Sequence, residues 1–286
     1  LNYRHQFHAG NFADVLKHAL LVRLIRALQR KERGFVVIDT HAGRGCYDLE
    51  RAAMGDTRVR PPEWPEGVGR LWHRTGLPAE LTDYLDQVRA HDREQGNLGT
   101  EPRFYPGSPV LAQRLRRPQD RLSLWELHPA ECAGLRAVLG RSPGVTIEEA
   151  DGYGAVRAAL PPPERRALVL LDPPFEAADE WGRIAAALAG AVARLPGGVY
   201  AVWYPLTARA QPSESGRALL ELGRPALAVE LIVDPGSAGL RGCGVAIVNP
   251  PWGFEREAEI IATALAGVLG SGGGAETSLR WMVPPV

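Results

Sequence analysis

The sequence predicts one α/β domain on a mostly parallel, seven-stranded sheet with a small helical insertion. Three observations predict it. Short β-branched runs alternate with stretches of helical periodicity. Four successive runs end in an acid followed by turn residues, as expected where strands deliver polar groups to one sheet edge. About 80 residues separate the first strand from the second, where a βαβ unit takes about 30.

In chain order, residues 11–33 form the first helix, closed by Gly34. Leu21, Leu24, Ile25 and Leu28 share one face, while Arg23, Arg26, Gln29 and Arg30 share the other. Continued toward the N-terminus, the apolar stripe runs into Lys17, His18 and Asp14. If the helix is antiparallel to the strand it feeds, Lys17 and His18 reach the carboxyl edge of the sheet. The strands are expected at 35–40, 122–127, 145–150, 168–171, 199–203, 226–233 and 244–248, with a last extended piece at 279–283. The stretch 47–103 is rich in Pro, Trp and charge, contains a helix over 77–93, and is expected to be the inserted subdomain. The chain resumes at Tyr105-Pro106-Gly107-Ser108-Pro109, with Ser108 expected to cap a helix and Pro109 to occupy its first turn.

Composition excludes several classes. No apolar run reaches the roughly 18–20 residues of a membrane span; the nearest, 184–193, ends at Arg194. Residues 1–8 hold no apolar signal core. The three cysteines, Cys46, Cys132 and Cys243, are far apart, which argues against a disulfide framework and for a cytoplasmic location. No metal is expected: His5, His8 and His18 have no acid or cysteine at a familiar ligand spacing. Formal net charge is zero, but residues 1–33 carry seven Lys/Arg against two acids, so Lys17, Arg23 and Arg26 are candidates for phosphate contacts.

The strand ends carry the chemistry. They read Asp39-Thr40-His41-Ala42-Gly43-Arg44-Gly45, Glu126-Leu127-His128, Asp151-Gly152 and Asp172-Pro173-Pro174-Phe175. A Gly-rich loop after the first strand lets backbone approach a ligand. An acid after the second can accept both hydroxyls of a ribose, and one after the third can accept from an adenine amine. Together they fit an adenosyl cofactor. A dinucleotide fits less well, because Gly43-Arg44-Gly45 lacks the third glycine of that fingerprint.

Asp172-Pro173-Pro174-Phe175 is the sharpest signal. An adenine amine is a poor nucleophile because its lone pair is delocalised into the ring. A carboxylate and a main-chain carbonyl, each accepting one amine hydrogen, turn that lone pair outward. Asp172 supplies the first and Pro173 the second, stiffened by the Pro-Pro pair. Phe175 offers a face for an extruded base. A second candidate, Asn249-Pro250-Pro251-Trp252, also follows an apolar strand, but that strand is about the seventh and is expected further from the centre.

These segments, with Tyr3-Arg4-His5-Gln6-Phe7-His8-Ala9-Gly10-Asn11, Asp14-Val15-Leu16-Lys17-His18 and Trp203-Tyr204-Pro205, resemble the RlmJ family of bacterial 23S ribosomal RNA adenine-N6 methyltransferases over essentially the whole chain. The resemblance implies a Rossmann-like class I methyltransferase core that acts as a monomer with S-adenosylmethionine. It implies methylation of adenine 2030 of 23S ribosomal RNA, naked or partly assembled. By motif, His18, His41, Ser108, Glu126, Asp151, Gly152 and Asp172 contact the cofactor, Asp172 is also the catalytic acceptor, and Tyr3 lies near the adenine. Phe175 stands where the family often has Tyr. The residues alone leave open methylation of a DNA adenine, or of a protein glutamine amide with the catalytic role moved to Asn249.

Overall fold

A computed structural model of the chain describes residues 7–52, 61–177, 179–207, 219–234, 240–270 and 274–285. Numbered in chain order, the strands are β1 (Val36–Asp39), β2 (Cys46–Asp48), β3 (Phe104–Pro106), β4 (Arg121–Trp125), β5 (Val145–Glu148), β6 (Ala167–Leu171), β7 (Val199–Thr207), β8 (Ala226–Ile232), β9 (Leu240–Val248) and β10 (Glu276–Val283). All but β2 and β3 form one sheet in the order β10-β8-β9-β7-β6-β1-β4-β5.

The run β5-β4-β1-β6-β7 is parallel throughout. It reproduces the doubly wound order that creates a crevice beside the first strand. β9 then lies antiparallel between β7 and β8, giving the class I methyltransferase arrangement. The sheet has eight strands rather than the expected seven. The final extended piece lengthens into β10 and pairs antiparallel with β8, covering what would otherwise be an open edge.

Both faces of the sheet are buried at its centre, as a parallel sheet requires. Along β6, Leu168 and Leu170 enter one core, while Val169 and Leu171 enter the other. The first core is covered by α1 (Phe12–Gln29), α5 (Ser108–Leu115) and α9 (Phe254–Leu269); the second by α7 (Gly152–Ala159) and α8 (Glu180–Arg194). α6 (Pro129–Leu139) follows β4. No helix among the described residues is long and apolar enough to cross a membrane.

α1 starts where Asn11 Oδ1 accepts from the amides of Ala13 (3.0 Å) and Asp14 (2.9 Å). It ends at Gln29, a few residues short of the expected end. Its arginine face is not a free basic surface. Arg23 pairs with Asp83 (3.0 Å) and Glu257 (2.8 Å), Arg26 with Asp83 (3.0 Å) and Arg30 with Glu257 (2.5 Å). The phosphate-binding expectation for Arg23 and Arg26 is therefore corrected: two acids, distant in sequence, take their charge.

The long interval after β1 is framed by β2 and β3, which pair antiparallel with Tyr47 opposite Tyr105. Between them lie α2 (Leu49–Ala52), α3 (Val68–Trp72) and α4 (Ala79–Glu94). Leu81, Tyr84, Leu85 and Val88 of α4 enter the same core as α1. Asp92 at the end of α4 holds the returning chain: its carboxylate accepts from the amides of Arg103 (3.0 Å) and Phe104 (2.7 Å) and from Asn97 Nδ2 (2.7 Å). Ser108 proves not to be the cap of α5. It is the first helical residue, and Gly107 occupies the cap position; the Ser108 hydroxyl is drawn elsewhere, as described below.

Truncating Asp92 leaves two half-buried amides without their acceptor. Asp92→Ala is expected to lower stability by about 2–4 kcal/mol, from about 1–3 kcal/mol per orphaned group. Urea denaturation checks this; a midpoint within error of the parent would contradict it.

Candidate active site

The carboxyl ends of β1, β4, β5 and β6 open into one cleft of ≈960 Å³. β1 ends at Asp39, buried at 1% exposure, whose Oδ2 accepts from Ser108 Oγ at 2.6 Å. Burial raises the Asp39 carboxyl from 3.8 to about 7. Thr40 Oγ1 donates to the Leu170 carbonyl (2.9 Å), so it accepts from His41 Nδ1 (2.7 Å). Burial lowers His41 to about 4, so its ring is neutral, with the proton on Nδ1 and Nε2 as an acceptor.

The loop after β1 turns through positive φ at Gly43 (60°) and Gly45 (84°). Glu126, just past β4, holds it: Oε2 accepts from Gly43 N (2.8 Å) and Oε1 from His128 N (2.7 Å). Each oxygen keeps a lone pair, so the carboxylate can still receive hydroxyls. Asp151 caps α7 through Tyr153 N (3.1 Å) and pairs with Arg183 (3.2 Å). At Gly152 a Cβ would stand 1.8 Å from the Thr40 carbonyl, so only glycine permits this close approach of α7 to β1.

Asp172, just beyond β6, receives Lys17 Nζ at 2.5 Å on Oδ2. Lys17 also reaches Asp14 Oδ1 at 2.8 Å, and Asp14 Oδ2 accepts from Gly10 N at 3.0 Å. Burial opposes the ammonium charge, but Asp14 and Asp172 outweigh it and raise the Lys17 pKa. Lys17 is thus enclosed between two carboxylates, which also removes it as a phosphate contact. Phe175 adopts φ 52°, uncommon for a non-glycine residue. It is held edge-on by Trp181 (5.5 Å) and Trp203 (5.9 Å).

The second Pro-Pro motif lies at the other end of the sheet. β9 is antiparallel, so Val248 pairs with Tyr200 at the start of β7. Asn249 Nδ2 donates to the carbonyls of Pro196 (3.0 Å) and Gly198 (2.8 Å). Strand direction, not only distance from the centre, separates Asn249 from the cleft.

The family model for "Ribosomal RNA large subunit methyltransferase D, RlmJ" matches residues 32–283. The chain belongs to this family. It is 38% identical to the ribosomal RNA large subunit methyltransferase J of Escherichia coli K12 and 38% identical to that of Haemophilus influenzae Rd, with 99% of each chain covered in both cases. The crystal structure of protein LPL1258 from Legionella pneumophila is similar to it at a TM-score of 0.85 and 34% identity, covering 96% of this chain and 98% of that one.

Lys17, His18, His41, Ser108, Glu126, Asp151, Gly152, Asp172, Pro173 and Phe175 all line the cleft. Tyr3 and His5 lie outside the described residues. His8 and His18 do not converge on one centre: His8 Nδ1 contacts Glu63 (2.9 Å) and His18 Nδ1 contacts Tyr105 (2.8 Å). No group of three or more metal-ligating side chains occurs among the described residues. Sequence reasoning missed the Asp39–Ser108 pair, the Arg183 partner of Asp151 and the aromatic support of Phe175, each joining residues of separate elements.

Asp39 generates a pH prediction. Between about 4 and about 7 the folded chain keeps a proton that the unfolded chain has released, so this group's contribution to stability falls as pH rises through that window. Asn cannot ionise and still accepts from Ser108. The stability of Asp39→Asn relative to the parent should therefore grow from pH 4 to pH 7 and level off above. Unfolding midpoints measured at pH 5 and pH 8 check it; a constant difference would contradict it.

Proposed function

We propose that the chain methylates the N6 amine of an adenine in 23S ribosomal RNA, by resemblance adenine 2030, with S-adenosylmethionine as donor. The observation that carries the reading is Asp172: its Oδ2 is bound by the buried Lys17 ammonium, it lines the cleft, and among the described residues it has no other hydrogen-bond partner. Oδ1, the oxygen that Lys17 leaves open, can accept an amine hydrogen. The Pro173 carbonyl accepts the other hydrogen, which turns the nitrogen lone pair away from the ring. Phe175 stacks on the extruded base, worth about 1–3 kcal/mol. The amine proton passes to Asp172 or solvent.

The residues fit the cofactor. When bound, it supplies an electrophilic methyl on a sulfonium. The acids around the cleft complement that positive charge, Glu126 suits a ribose, and Gly152, packed against the Thr40 carbonyl, brings Asp151 up beside the end of β1. His41, Ser108 and His18 complete the contacts implied by the family motif. The Escherichia coli and Haemophilus influenzae relatives, ribosomal RNA large subunit methyltransferases by name, support large-subunit ribosomal RNA as the substrate class. Action as a cytoplasmic monomer on naked or partly assembled RNA follows the same family likeness, as do a role for Tyr3 beside the adenine and the reading of residues 47–103 as an inserted helical subdomain. Protein glutamine methylation through Asn249 is disfavoured by its place at the opposite sheet edge.

Tritiated methyl transfer to 23S ribosomal RNA, with DNA as the comparison, tests the proposal. Transfer to the RNA is expected, and Asp172→Ala should lower it by at least about 100-fold, the scale of a lost preorganised polar group. Calorimetric affinity for S-adenosylmethionine should fall far less, because the other contacts remain. Unchanged turnover of the variant, or preference for DNA, would overturn the assignment.

A further inference from the structure

Beneath the cleft a buried polar chain runs back from His18 to two tyrosines that do not line it. His18 Nδ1 lies 2.8 Å from the Tyr105 hydroxyl, and that hydroxyl lies 3.0 Å from the hydroxyl of Tyr84. His18 belongs to α1, Tyr105 to β3 and Tyr84 to α4, and all three are buried. The His18 and Tyr105 rings also stack, with centroids 5.7 Å apart.

Proton bookkeeping gives the chain a direction. Among the described residues, the Tyr84 hydroxyl makes no hydrogen bond other than that with Tyr105. Were Tyr84 to accept from Tyr105, its own proton would be buried without an acceptor, which costs the full desolvation of that group. Tyr84 therefore donates to Tyr105. The Tyr105 proton then has one acceptor left, His18 Nδ1. Burial raises the pKa of both phenols, so each keeps its proton to donate. An imidazole nitrogen that accepts carries no hydrogen, so the proton of the neutral ring sits on Nε2.

We propose that Tyr105, backed by Tyr84 of α4, is a positioning residue that locks His18 as the Nε2–H tautomer and so gives the cleft an N–H donor for a carboxylate. Resting on the methyltransferase reading, this assigns His18 to the carboxylate at the methionine end of S-adenosylmethionine. It complements His41, whose proton sits on Nδ1 and whose Nε2 is an acceptor. The cleft then holds two neutral histidines of opposite tautomer, each set by a hydroxyl behind it. Helix α4 thereby contributes to cofactor binding without touching the cofactor, because Tyr84 strengthens Tyr105 as a donor.

The test is long-range 15N NMR of the full chain labelled at histidine, with His18 assigned by loss of its signals in His18→Gln. In the parent, His18 should show an unprotonated Nδ1 and a protonated Nε2; a protonated Nδ1 would overturn the proposal. Tyr105→Phe should abolish the single tautomer and raise the KM for S-adenosylmethionine about tenfold, with kcat at saturation largely kept. Tyr84→Phe should keep the tautomer and raise KM only about two- to fivefold. A purely structural role predicts lower stability in both variants with the tautomer and KM unmoved, and that outcome too would overturn it. If Tyr105→Phe does not fold, the parent spectrum and Tyr84→Phe still decide. Failure of the unmodified chain to bind S-adenosylmethionine would instead sink the function proposed above, and the tautomer would remain separately readable.

Discussion

A buried ammonium between two carboxylates holds this molecule's chemistry in place. Lys17 joins Asp14, one turn earlier on α1, to Asp172 at the end of β6. Three charges withdrawn from water are costly, and such a network is seldom a net source of stability. Its value is positional. With two acids as partners, Lys17 cannot turn outward, and with Lys17 bound, Asp172 is held at the cleft. The packing of α1 follows: its first turn must reach the carboxyl edge of the sheet, and α4 and α9 cover its outer side with Asp83 and Glu257 to neutralise the arginines there.

The rest of the cleft is built by the same device, a polar group held from behind. Glu126 is held by two amides, Asp151 by Arg183 and an amide, His41 by Thr40 and Asp39 by Ser108. Glu126, Asp151 and His41 keep capacity toward the cleft while their orientation is fixed by the fold, and the buried Asp39 fixes Ser108 beneath them. Groups arranged before a ligand arrives need little reorganisation, which is where preorganised sites gain their effect. Phe175 shows the cost: its backbone sits at positive φ and is kept there by two tryptophans.

Much of this was legible in the sequence, for identifiable reasons. Strand ends are marked by a switch from buried apolar residues to acids and turn residues, so Glu126, Asp151 and Asp172 could be placed on one edge without coordinates. Lys17 and His18 were readable because they interrupt an apolar stripe. What was not legible depended on partners distant in sequence. Asp83 and Glu257 lie 57 or more residues from the arginines they neutralise, so the basic run looked like a phosphate surface. Ser108 looked like a helix cap because Ser before Pro usually is one; Asp39 diverts its hydroxyl. Strand direction was also hidden, and only the antiparallel course of β9 carries Asn249 to the far end of the sheet.

The central claim is that Asp172 and the Pro173 carbonyl together grip the target amine. A crystal structure of the chain with adenosine monophosphate and S-adenosylhomocysteine tests it most directly. The account predicts the adenine amine within hydrogen-bond reach, roughly 2.7–3.2 Å, of both the Asp172 carboxylate and the Pro173 carbonyl, with the ring stacked on Phe175. An adenine bound with its amine away from Asp172, or Asp172 turned out of the cleft, would contradict it.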